Sequence, residues 1–76
     1  VGISFTQALA GPVQVSIYDL RGRLVRRLAD GGYAAGPHTL WWNGTSSSGL
    51  RVSSGLYLIR VTTQDREQTM KVVWTN

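Results

Sequence analysis

Few side chains in this sequence can do chemistry. His38 is the only imidazole, cysteine is absent, and Asp19, Asp30, Asp65 and Glu67 are the only carboxylates. A zinc site takes three or four His, Cys or carboxylate ligands. His38 has no second histidine and no carboxylate at ligand spacing, so it reads as an exposed or half-packed strand residue. A glycosidase needs two carboxylates held across a cleft. Here Asp19 and Asp30 flank one hairpin, and Asp65 and Glu67 share another turn. Aspartate favours such places because its side chain bonds the backbone ahead of it. Ser46, Ser47 and Ser48 form a run with no base nearby to activate a nucleophile. The oxygen-rich stretch from Trp42 to Gly49 lacks the carboxylates that calcium takes. No glycine pattern cradles a phosphate. Asn43-Gly44-Thr45 has the form of a glycosylation triplet, but Asn-Gly is also a favoured turn pair. The expectation is no catalytic residue, no metal and no cofactor.

Positive charge is the next chemistry to weigh. The net charge is +4, and every cation except Lys71 is an arginine. Arg21, Arg23, Arg26 and Arg27 crowd together. Such a cluster can be a phosphate footprint. No aromatic interleaves with these arginines, as single-strand platforms require. They read instead as a solvated hairpin whose edge is kept from sticking by charge, with no nucleic-acid partner.

Tryptophan is the remaining resource. Trp41 and Trp42 are adjacent, and alternation along a strand sends one inward and the other outward. Trp42 shares a face with His38 and Leu40 and is assigned inward. An outward Trp41, or Trp74 near the end, suits stacking on a sugar ring or docking against a neighbouring domain. Packing in the core or at an interface is the plainer reading.

The elements that position these residues are short and alternating. Val1, Ile3 and Phe5 alternate with small polar residues, as a half-buried strand does. Val13, Val15 and Ile17 form a second such run. Asp19-Leu20-Arg21-Gly22 reads as a hairpin turn, with Gly22 in the left-handed position. A third strand runs from about Arg23 to Ala29, and its apolar residues slip phase, which indicates a bulge or an early end. Asp30 to Pro37 reads as loop, with Tyr33 folded down as a lid. The fourth strand spans about His38 to Asn43. Leu50 to Val52 reads as a short fifth, Gly55 to Thr63 as a sixth and Gln68 to Thr75 as the last. The expected inner face is Ile3, Phe5, Val15, Ile17, Leu40, Trp42, Tyr57, Ile59, Val61 and Val72. No 3.6-residue apolar period appears. Short strands with regular turn signals predict an all-β, Ig-like antiparallel β-sandwich of about seven strands.

The chain of 76 residues reads as a single domain, 1–76, cut from a longer protein whose export signal lies elsewhere. A domain this small hides only about 60% of the surface its unfolded chain exposes, and no disulfide adds to its stability. No apolar run approaches the ~20 residues that span a bilayer, so no transmembrane segment is expected.

The motifs together resemble a known family. They are Ile17-Tyr18-Asp19 with Gly22-Arg23, Ala35-Gly36-Pro37-His38, Trp42-Asn43-Gly44, Gly49, and Ser54-Gly55-Leu56-Tyr57. In this order and spacing they resemble the Ig-like domains related to the flagellar hook-cap protein, and in particular the type A C-terminal sorting domain of the type IX secretion system. The resemblance covers essentially the whole chain. The family's fold motif falls on Gly22, Trp42, Asn43, Gly44, Gly49, Gly55 and Tyr57. The closing Lys71-Val72-Val73 is similar to the basic-hydrophobic terminal motif of sorting domains. Two departures stand out: Asn43 replaces the usual aspartate, and Trp74 follows Val73 where another basic residue is common.

The resemblance implies a non-catalytic C-terminal domain. It would direct a secreted bacterial protein through the type IX system to the cell surface. Its partners would be the secretion translocon or surface-attachment machinery and a neighbouring domain of the parent protein. The alternatives are a carbohydrate-binding or accessory module of a secreted polysaccharide-degrading enzyme, using Trp41 or Trp74, and a structural spacer or oligomerisation module.

Overall fold

A computed structural model describes residues 1–76. The strands are β1 (Gly2–Gln7), β2 (Gly11–Tyr18), β3 (Leu24–Tyr33), β4 (Gly36–Trp41), β5 (Gly55–Thr62) and β6 (Glu67–Trp74). β1 and β4 form a two-stranded sheet, and the other four pair in the order β3-β2-β5-β6. All pairings are antiparallel. The two sheets enclose one core, as an Ig-like sandwich does.

There are six strands rather than seven. The expected strand at Leu50–Val52 is reduced to a single bridge between Thr45 and Arg51. The reason lies in local closure. Gly49 N–H donates to the Ser46 carbonyl at 2.9 Å, and Val52 N–H donates back to the Gly44 carbonyl at 2.9 Å. Residues 44–52 therefore close mostly on themselves, with Ser47 N–H donating to the Val25 carbonyl of β3 at 3.0 Å, instead of forming a strand.

β3 also runs further than expected, through the glycines read as loop. Gly31 and Gly32 pair with Val13 and Pro12. β3 is an edge strand, where the loss of side-chain packing at glycine is tolerated. The phase slip in its sequence is real. Opposite β3, the register shifts between Val15 and Ser16 and again between Ile17 and Tyr18. Leu28 and Val25 are left as the unpaired bulge residues.

The turn at Asp19 holds the β2–β3 hairpin. Gly22 N–H donates to the Asp19 carbonyl and Asp19 N–H to the Arg23 carbonyl, both at 3.0 Å. The Asp19 carboxylate accepts the backbone N–H groups of Arg21 and Arg23 at 2.9 Å. Gly22 takes φ +83°, the conformation that such a turn reserves for glycine.

The core is Ile3, Phe5, Val13, Val15, Ile17, Ala29, Trp42, Tyr57, Ile59 and Val61. Val13 and Ala29 join the residues expected there. Leu40 and Val72 are only half-buried against the cluster.

Candidate functional site

The 42–57 segment is built around three aromatic rings. Trp42 leaves the end of β4 and turns inward, where it is 1% exposed. Its ring meets Tyr57 edge-on at 5.3 Å between centroids and Trp74 at 5.4 Å. The indole N–H is not stranded by this burial, because it donates to the Thr45 carbonyl at 2.9 Å. Tyr57 sits at the start of β5, and its hydroxyl donates to the Ser53 carbonyl at 2.6 Å. That is the tyrosine corner seen in Ig sandwiches.

Gly44 makes the close approach possible. A Cβ at this position would overlap the Trp74 indole, and the backbone takes φ +78°. The last residues then fasten the segment. Trp74 Nε1 donates to Asn76 Oδ1 at 3.0 Å, while Asn76 Nδ2 and backbone N donate to the Val52 carbonyl and Ser54 Oγ, both at 2.9 Å. Sequence reasoning missed this latch. Its only signal was the cluster of small residues facing a late tryptophan.

Asn43 itself is exposed, and its Oδ1 accepts the Thr45 hydroxyl at 2.7 Å. Gly49 and Gly55 take positive φ where the segment turns and re-enters the sheet. Trp41 lies on the opposite face from Trp42 and is 74% exposed. Its ring rests against the bare backbone of Gly2, its cross-strand partner. Trp74, by contrast, is half-buried and committed to Trp42 and Gly44. Lys71 and Val73 point outward from β6 opposite Leu58 and Leu56, and Val72 points in opposite Tyr57.

The clustered arginines disperse. Arg23 Nε pairs with Asp19 at 3.0 Å and Arg27 with Asp30 at 3.9 Å. Arg26 turns to the loop and donates to the Thr45 hydroxyl. Arg21 is exposed at the hairpin tip. The backbone N–H of Arg23, with the Arg23 guanidinium and Arg21 N–H beside it, holds the Asp19 carboxyl below its ordinary value. His38 stacks on Phe5 at 5.3 Å and shares a hydrogen bond with the Ala34 carbonyl. Glu67 pairs with Arg60 at 3.6 Å, and Asp65 accepts the Thr63 hydroxyl within its turn. The carboxylates and His38 are thus held in turns, ion pairs and packing, and no three of them come together.

Comparison with known proteins decides the family. Residues 2–67 match the model of the FlgD Ig-like domain. The chain belongs to that family. Over 56 residues it is 41% identical to the basal-body rod modification protein FlgD of Salmonella typhimurium, and equally to that of Salmonella typhi. That match covers 74% of this chain and 24% of each relative. The chain thus spans about a quarter of the length of the curated relatives it matches. A crystal structure of FlgD from P. aeruginosa superimposes with a TM-score of 0.73 at 28% identity, covering 95% of this chain and 57% of that one. The terminal latch, Trp74 and Asn76, lies outside the matched residues 2–67.

These findings correct the functional expectation. The similarity leads to a flagellar protein, not to a type IX sorting signal or to a carbohydrate-binding module. The expected secretion translocon and surface-attachment partners go with it, as does delivery through the outer membrane to the cell surface. The misassignment has a clear origin. The shared motifs Gly22, Trp42, Gly44, Gly55 and Tyr57 build turns and core, so they report the sandwich rather than its destination. No helix of the chain is long and apolar enough to cross a membrane.

Proposed function

We propose that this chain is the Ig-like module of a FlgD-type protein and serves, without catalysis, in flagellar basal-body rod modification. The observation that carries this reading is the 41% identity to the Salmonella FlgD proteins over 74% of the chain. A non-catalytic role fits the placement of the four carboxylates and His38, each already engaged in a turn, an ion pair or ring packing.

On this reading residues 1–76 are one module of a longer polypeptide and meet a neighbouring domain. The distribution of apolar surface supports the contact. Exposed Leu20, Leu24, Trp41, Leu50, Leu56 and Val73 all lie towards the end of the sandwich that holds the 42–54 loop and the β2–β3 hairpin, and only Leu9 lies at the other end. Val1 and Asn76 lie at that same end, bonded to Trp42 and to Val52. The apolar residues gather at one end of the sandwich from both outer faces, Trp41 from the β1–β4 sheet and Leu56 and Val73 from the four-stranded sheet.

The test is a domain exchange. The matching Ig-like segment of Salmonella FlgD is replaced by this chain in a strain lacking its own FlgD, and swimming is scored in soft agar. Restored swimming is expected. A folded, normally expressed chimera that leaves the cells non-motile would contradict the proposal.

A further inference from the structure

We infer that Asn43 is a self-modification site, at which the backbone nitrogen of Gly44 displaces the side-chain amide and a carboxylate is left in its place. Asn43 is exposed just beyond the end of β4. The residue after it is glycine, so no side chain obstructs the approach of that nitrogen to the carboxamide carbon. Gly44 N–H donates to no backbone or side-chain acceptor of the chain. The attack therefore breaks no existing hydrogen bond.

The carboxamide is held in a way that favours the reaction. The Thr45 hydroxyl donates to Asn43 Oδ1 at 2.7 Å. This bond joins side chains two positions apart, so the carboxamide is folded forward over the Gly44 peptide between them. Thr45 Oγ in turn accepts the Arg26 guanidinium of β3. A hydroxyl that accepts from a cation is a stronger donor. Attack on the carboxamide carbon turns Oδ1 into an oxyanion, and Oδ1 is the atom the hydroxyl already holds. A donor preset where charge develops stabilises the transition state. The surrounding loop fixes the arrangement. Thr45 is bridged to Arg51, and the Gly44 carbonyl accepts Val52 N–H.

The chemistry needs only water. The Gly44 nitrogen gives its proton to solvent base and bonds to Asn43 Cγ. The tetrahedral intermediate collapses, the carboxamide C–N bond breaks, and ammonia leaves with a proton taken from solvent. The product is a cyclic succinimide. Water then adds to one of the two ring carbonyls and breaks that carbonyl's bond to the Gly44 nitrogen. Opening at Cγ gives aspartate, and opening at the main-chain carbonyl gives isoaspartate. Nothing is oxidised or reduced. The net charge falls from +4 to +3.

The two products differ in what they do to the loop. Aspartate keeps the Thr45 bond and sets a carboxylate near Arg26. Isoaspartate lengthens the main chain beside Gly44, which lies under the Trp74 indole with its carbonyl bonded to Val52. Asp30-Gly31 is the corresponding acidic pair, but its Gly31 lies in the β2–β3 ladder opposite Val13, and an ionised carboxylate resists attack.

The experiment holds the folded 76-residue chain at mildly alkaline pH and samples it over weeks. The tryptic peptide 28–51, which carries Asn43, is followed by mass spectrometry. Heavy-oxygen water marks the oxygen gained from solvent. Asn43 should convert in the folded chain. Thr45→Val keeps the shape of the side chain and removes the donor. It should slow conversion about tenfold, as the loss of one hydrogen bond to an oxyanion implies. Thr45→Ser keeps the hydroxyl and should stay near the parent rate. Arg26 is a positioning residue that acts through Thr45, so Arg26→Leu should slow the parent chain and leave Thr45→Val unchanged. In urea the relay is gone, and parent and Thr45→Val should convert alike. If Thr45→Val does not fold, Thr45→Ala takes its place. An Asn43 that stays intact in the folded chain while the urea-unfolded chain converts overturns the inference. A folded Thr45→Val that converts as fast as the parent overturns it too.

Discussion

The Trp74 indole lies directly over Gly44, so close that a Cβ there would overlap the ring. This contact joins the last strand to the segment that carries most of the recognisable sequence motifs.

Gly44→Ala should therefore be more damaging than Gly22→Ala. Both glycines have positive φ, +78° and +83°, and an L-residue there costs about 1–2 kcal/mol. Nothing stands within 4 Å of a Cβ at Gly22, whereas the Trp74 ring blocks one at Gly44. Urea unfolding should show the larger loss for Gly44→Ala. Equal losses would mean that Trp74 moves aside freely.

The two adjacent tryptophans should behave oppositely. Trp42→Ala removes a ring that is 1% exposed and should destabilise by about 3–5 kcal/mol. Trp41→Ala touches a ring that is 74% exposed and should change stability by less than about 0.5 kcal/mol. Thermal unfolding of the two variants checks the pair.

Tyr57→Phe isolates the tyrosine corner. It keeps the packing on Trp42 and deletes the hydrogen bond to the Ser53 carbonyl. The expected loss is about 1 kcal/mol. Faster amide exchange in residues 53–57 should accompany it.

Asp19 should contribute to the acid limb of stability. Its folded-state value lies below the ordinary 3.8. The contribution is therefore present above 3.8 and is lost as pH falls through the lower folded value. Asp19→Ala should lower the melting temperature at neutral pH and flatten its decline in acid. An unchanged acid limb would show that the turn's hydrogen bonds do not depend on the charge.

Much of this fold was legible because alternation is explicit in the sequence. Ile3 and Phe5, Val15 and Ile17, and Ile59 and Val61 each mark a buried face two residues at a time. The Asp19–Gly22 turn was equally plain, since its residue types match its backbone. The failures came where partners outweigh local preference. Gly31 and Gly32 look like loop, yet β2 supplies them with a ladder. Leu50–Val52 looks like strand, yet its backbone closes onto Ser46 and Gly44. The latch of Trp74 and Asn76 depends on contacts more than twenty positions away, which no local pattern reveals. Function was the least legible. The residues that carry the resemblance are turn and core residues, and these are shared by modules with different destinations.

The most direct test of the account is to isolate hook–basal bodies from the Salmonella strain carrying the domain exchange and examine them by electron microscopy. The account predicts structures indistinguishable from those made with the strain's own FlgD. Basal bodies halted at the same stage as in cells lacking FlgD, with the chimera present and folded, would contradict it.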